Sequence, residues 1–217
     1  TLVDPENCYV SNDERVPDYP VITSITAVPI DNPEAFVNTC YNDEVYGVYV
    51  SENAIYFPQI LGFQLPDVFT RIHKFALSGT SVAYRGSADI EGQVWVGGQQ
   101  DFRLSEYDGD LRVLSSRFDR NRADSVDHLL YILRVSPTAA ALDIVSSLPN
   151  VANPEPIGKP NEHLYGVRFL GDRAYAVTFL QIDPLYVFDL ADPADPRIAG
   201  TLEVTGFSDF LHPVTDE

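Results

Sequence analysis

Leu164-Tyr-Gly-Val-Arg-Phe169, Gly171-Asp172 and Ala174-Tyr-Ala-Val177 decide the fold of this chain. Two β-rich runs flank a tight Gly-Asp turn, the pattern of a β-hairpin. The same design stands twice upstream. Val45-Tyr-Gly-Val-Tyr-Val50 leads through Ser51-Glu-Asn53 to Ala54-Ile-Tyr-Phe57, and Phe102-Arg-Leu-Ser-Glu106 leads through Tyr107-Asp-Gly-Asp110 to Leu111-Arg-Val-Leu114. No window carries the 3.6-residue periodicity of an amphipathic helix, so the chain reads as all-β.

A second hairpin follows each of the first. Arg71-Ile-His-Lys-Phe-Ala-Leu77 turns at Ser78-Gly-Thr80 into Val82–Ala88. His128–Val135 turns at Ser136-Pro-Thr138 into Ala141–Ser147, and Leu185–Leu190 turns at Ala191–Pro196 into Ile198–Leu202. Half of the unit stands once more near the start, where Ile22–Ile30 precedes Asp31-Asn-Pro33 and Ala35–Thr39. Hairpin plus hairpin makes a four-stranded antiparallel unit recurring about every 45–60 residues, as in the blades of a β-propeller. The expected register is a half-blade over 18–43, blades over 44–91, 99–150 and 161–206, and the opening of another over 207–217. Ragged ends of this kind predict an arc of a larger ring, with a closed four-bladed ring as the alternative.

Composition narrows the function classes. Lys and Arg number 14 against 32 Asp and Glu, a formal charge of −18. Such a surface repels phosphate backbones and anionic lipid, which argues against nucleic-acid binding. No apolar run is long enough to span a membrane. Thr1 to Glu14 lacks a basic segment followed by an apolar one, and the chain opens with Thr, so it is read as a mature or excised segment. Cys8 and Cys40 lack zinc-ligand spacing. In an oxidising compartment they would form one disulfide, and otherwise they are two unrelated thiols, one of them buried.

Gly166-Val-Arg-Phe-Leu-Gly-Asp-Arg-Ala-Tyr-Ala-Val-Thr-Phe179, Ile182-Asp-Pro-Leu-Tyr-Val-Phe-Asp-Leu-Ala-Asp-Pro193 and Gly206-Phe-Ser-Asp-Phe-Leu-His-Pro213 carry a resemblance. They are similar to motifs of the bacterial and archaeal family of secreted proteins with a C-terminal β-propeller domain. Thr70-Arg-Ile-His-Lys-Phe75 and Ser105-Glu-Tyr-Asp-Gly-Asp-Leu-Arg112 resemble it as well. The resemblance implies an exported propeller, secreted, periplasmic or on the cell surface, with no assigned enzymatic activity and with further blades after Leu-His-Pro.

The candidate sites are sparse. His73, His128, His163 and His212 are scattered and not at metal-ligand spacing. His73 and His128 take matching places in successive units, which predicts a structural role. No Gly-x-Ser-x-Gly elbow is present, and Ser78-Gly-Thr80 reads as a turn. Carboxylates are plentiful: Asp108 and Asp110 on one loop, and Asp119, Asp124 and Asp127 on another, offer the oxygens that Ca²⁺ takes. Neither loop fits the EF-hand pattern, and turn chemistry accounts for both more simply, so no cofactor is expected. Trp95 is expected to fill space between blades, and the Pro-rich stretch Asn150–Pro160 to bridge two of them. Enzyme status stays open, leaning away from catalysis. The leading expectation is a non-catalytic scaffold for a protein or glycan partner. The alternative is a propeller-type hydrolase or lyase with an acidic, Ca²⁺-dependent site at the central channel. Open blade edges also predict self-association.

Overall fold

The computed structural model describes residues 5–11, 13, 21–45, 47–62, 68–94, 102–119, 125–180, 183–204 and 211–212. They form fifteen strands in four sheets. The first sheet holds β1 (Cys8–Val10), β2 (Thr23–Ala27) and β3 (Val37–Asn42). The second runs β4 (Tyr49–Val50), β5 (Ala54–Leu61), β6 (Phe69–Ser78) and β7 (Ser81–Glu91) in chain order. The third is β8 (Leu104–Tyr107), β9 (Asp110–Asp119), β10 (Ser125–Val135) and β11 (Leu142–Leu148). The fourth is β12 (His163–Leu170), β13 (Arg173–Phe179), β14 (Asp183–Asp189) and β15 (Arg197–Val204). The last three are four-stranded antiparallel meanders, the unit expected from the paired hairpins. Trp95 and all of the expected C-terminal strand over 207–217 except Leu211 and His212 lie outside the described residues.

Turn chemistry sets the hairpins. In the β8–β9 connection Tyr107 faces Asp110, leaving a two-residue loop in which Asp108 and Gly109 have φ of 51° and 84°. Two positive φ values match the right-handed twist of the flanking strands, and Asp-Gly tolerates them at low steric cost.

Period-two alternation then divides each strand between two neighbouring sheets. Ala54, Tyr56 and Ile72 of the second sheet pack with Leu111, Val113, Leu129, Tyr131 and Leu133 of the third. Leu114, Leu130 and Leu148 turn the other way and meet Leu164, Ala174, Ala176 and Phe188 of the fourth. Because the middle of β9 and β10 is covered on both faces, Leu111, Val113 and Leu114 of one and Leu129 to Leu133 of the other are all buried. Gly86 of β7 marks a close backbone approach between sheets. A Cβ there would strike the main chain of Ala140 and Ala141, beside the Ser87–Ala141 bridge.

The first sheet departs from the meander. β1 pairs parallel with β3, an arrangement the hairpin pattern does not predict. In that register Cys8 faces Cys40, and the two form a disulfide with Cα atoms 4.4 Å apart. The Pro-rich segment after β11 does connect the third sheet to the fourth. On the way Ile157 bridges His128 and joins the apolar junction between them.

Candidate functional site

The carboxylates singled out for Ca²⁺ fall at opposite ends of β9. Asp108 is exposed at the tip of the β8–β9 turn. Asp110 is buried, and its two oxygens accept from Nε and Nη2 of Arg134, both at 2.6 Å. At the far end Asp127 is exposed and accepts from Arg117 Nη2 at 2.8 Å. Asp119 closes β9, while its side chain and Asp124 lie outside the described residues. A ten-residue strand separates the two groups by roughly 30 Å at about 3.3 Å per residue. No group of three or more His, Cys, Asp or Glu able to hold a metal ion occurs among the described residues.

Two of the histidines are interior struts. His73 lies between the hydroxyls of Tyr41, 2.9 Å from Nε2, and Tyr84, 3.1 Å from Nδ1. Burial, helped by the charge of Arg71, pushes its pKa down to about 4. His128 Nε2 donates to the Glu162 carbonyl at 2.8 Å, which leaves Nδ1 to accept from Ser116 Oγ at 3.0 Å. Burial lowers its pKa to about 4 as well. Ser116 also accepts from Arg103, itself a buried guanidinium brought down to about 10 by burial. The Ser116–His128 contact has the distance of a nucleophile and base, but both groups are buried in the junction, which keeps a substrate away. His163 and His212 are exposed.

A groove opens instead between the second and third sheets, with a volume of about 690 Å³. Its walls are the β4–β5 turn (Ser51, Glu52 and Asn53) and the β8–β9 turn (Tyr107, Asp108 and Gly109). Arg85 of β7 reaches in from the side, and Ala76, Leu77 and Val135 supply an apolar strip. At the floor Lys74 Nζ donates to Glu106 Oε1 at 2.7 Å, with the two side chains only 10% and 8% exposed. Tyr56 donates to the same oxygen at 2.8 Å, Ser51 donates to the other, and Tyr49 Oη accepts from the Glu106 backbone N–H at 2.9 Å. Burial would raise the Glu106 pKa, but the donors Lys74, Ser51 and Tyr56 outweigh it and hold the carboxyl below its usual value. The Lys74 ammonium also lies 5.2 Å from the centre of the Tyr56 ring. Among the described residues Glu52, Arg85 and Asp108 make no ion pair.

Behind this wall Arg112 joins the third sheet to the fourth. Its guanidinium lies 4.8 Å from the Tyr107 ring and 4.9 Å from that of Phe169, and it donates to the Gly171 carbonyl. Sequence reasoning missed Lys74, Glu106 and Arg85 because each reads alone as a solvated strand charge. The one available signal was that Lys74 is one of only two lysines and stands among apolar neighbours.

Four-stranded meanders packed face to face, with polar turns meeting at the sheet ends, define a blade-built all-β module. The model of the β-propeller domain family matches residues 1–217, and the chain belongs to that family. It is 36% identical over 114 residues to an uncharacterized protein of Methanocaldococcus jannaschii, covering 52% of this chain and 16% of that protein. An uncharacterized protein of Archaeoglobus fulgidus is 32% identical over 151 residues, 68% of this chain and 22% of that one. The chain thus spans less than a quarter of the length of these relatives.

Proposed function

We propose that this chain is part of an exported β-propeller acting as a non-catalytic binding scaffold, with its ligand held in the groove between the second and third sheets. The observation that carries the reading is the groove itself. Its volume falls in the range of small-ligand sites, about 300–1,000 Å³, and it combines an apolar strip with a few convergent polar groups. The acid and base at its floor are bound to each other, which suits a fixed recognition surface better than proton transfer. Export is supported by the Cys8–Cys40 disulfide, since such bonds persist in oxidising compartments. No described helix is long and apolar enough to cross a membrane.

Amide NMR of the labelled chain against a panel of peptides, glycans and small metabolites tests the reading. Ligand-induced shifts are expected at Asn53, Arg85 and Asp108, with the ligand recovered unchanged. Conversion of the ligand to a product, or shifts confined to other surfaces, overturns it. In native cells Cys8 and Cys40 are expected to resist alkylation until a reductant is added. Free thiols there would remove the support for export.

A further inference from the structure

We infer that the groove between the β4–β5 and β8–β9 turns takes a neutral polyhydroxyl ligand, a short glycan segment. This rests on the binding-scaffold reading and adds the ligand's chemistry to it. The charges around the groove nearly cancel: Lys74 and Arg85 stand against Glu52, Glu106 and Asp108. Lys74 and Glu106 satisfy each other at the floor, so the groups left to meet a ligand are one guanidinium and two carboxylates. An anionic ligand would meet Glu52 and Asp108 and the net charge of −18. A cationic one would be drawn by the same carboxylates and opposed only by Arg85, so it is the cost of desolvating its charge that counts against it. Hydroxyls both donate and accept, so one sugar can serve a carboxylate and a guanidinium at once. Bringing a formal charge into the groove also costs more than bringing in a hydroxyl. The apolar strip completes the match. Ala76, Leu77 and Val135, with the half-exposed Tyr107 ring, offer a surface for the C–H face of a sugar. A tyrosine ring supplies contact area at low entropic cost.

Isothermal titration of the full chain with neutral tetrasaccharides (cello-, malto- and manno-), tetragalacturonate, a chitosan tetramer and the zwitterion glycylglycine tests the inference. At least one neutral tetrasaccharide is expected to bind, and Tyr107→Ala and Arg85→Ala are each expected to weaken it by about tenfold. Arg85 is exposed, so its variant should unfold at the wild-type denaturant midpoint. Tyr107→Ala also removes the ring beside Arg112 and should lower the midpoint slightly, with binding measured well below it. Absence of binding by every neutral sugar, or binding that survives both substitutions, overturns the inference. Binding of only the charged or zwitterionic probes overturns the ligand class and leaves the scaffold reading standing. Appearance of shortened oligosaccharide overturns the scaffold reading and leaves the ligand class standing.

Discussion

Strand β6 turns one face to the first sheet and the other to the third, and the two junctions it serves are built from different chemistry. On one side Phe75 joins Tyr9, Tyr41, Phe57 and Tyr84, with ring centroids 5.2 to 6.2 Å from its own, and His73 is bonded to two of the tyrosines. On the other, Ile72 enters a core that is mostly aliphatic, with Tyr56 and Tyr131 among its members, and Lys74 pairs with Glu106. The aromatic junction has three strands on its far side and is tied by a disulfide. The aliphatic one sets four strands against four and leaves a groove at one end. A small sheet with little aliphatic area is therefore held by large rings and a covalent link, whereas a larger one can leave its margin open for a ligand.

Glu106→Ala should have the largest effect on this contrast. It strands the Lys74 ammonium and the Tyr56 hydroxyl in a buried place, at about 3–5 kcal/mol. The double variant Lys74→Met with Glu106→Leu should recover most of that loss. A urea midpoint little changed by Glu106→Ala would mean the ion pair carries no weight in the aliphatic junction. Next comes the aromatic side. Replacing Cys8 and Cys40 by Ser opens a link across a sequence separation of 32 and should cost about 3–4 kcal/mol, read from the same denaturation.

Acid should then strain two of the junctions through their histidines. His73 and His128 are held near about 4 when folded, below an ordinary 6.5, so the unfolded chain takes up protons first as pH falls. Their share of stability is complete above about pH 6.5 and is lost progressively toward pH 4, on the order of 2–3 kcal/mol each. Urea midpoints across that window should slope less steeply in His73→Phe. A slope equal to wild type would mean His73 titrates normally in the fold. The smallest effect expected is that of Tyr41→Phe, which removes one hydroxyl from His73 and should cost about 1 kcal/mol.

Much of the fold was legible because local rules govern it. Asp108-Gly109 between two β-rich runs is a strong hairpin signal, and the unbroken apolar run Ala54–Phe57 fits a strand buried on both faces. The parallel pairing of β1 was not legible, since nothing within Cys8–Val10 states which edge it will join. The groove was hidden for a related reason. Lys74 and Glu106 are 32 positions apart, and their meeting depends on which way each strand faces. The β6–β7 ladder also shifts register between Lys74 and Phe75, so simple counting across that pair goes astray. Asp110 looked like an oxygen donor for a cation, but Arg134 takes both of its oxygens, a pairing visible only once β9 and β10 lie side by side.

The bond between Cys8 and Cys40 gives the first sheet an unusual tolerance of damage. The connection between β2 and β3 is exposed from Asp31 to Val37, the kind of loop at which proteases cut. A cut there divides the polypeptide, but both pieces remain one molecule, because the bridge spans the nick and the strands on either side stay paired. Such a nicked protein would run at full size on a non-reducing gel and fall into two bands once reduced. Protease damage at this tip would therefore leave the rest of the molecule in place.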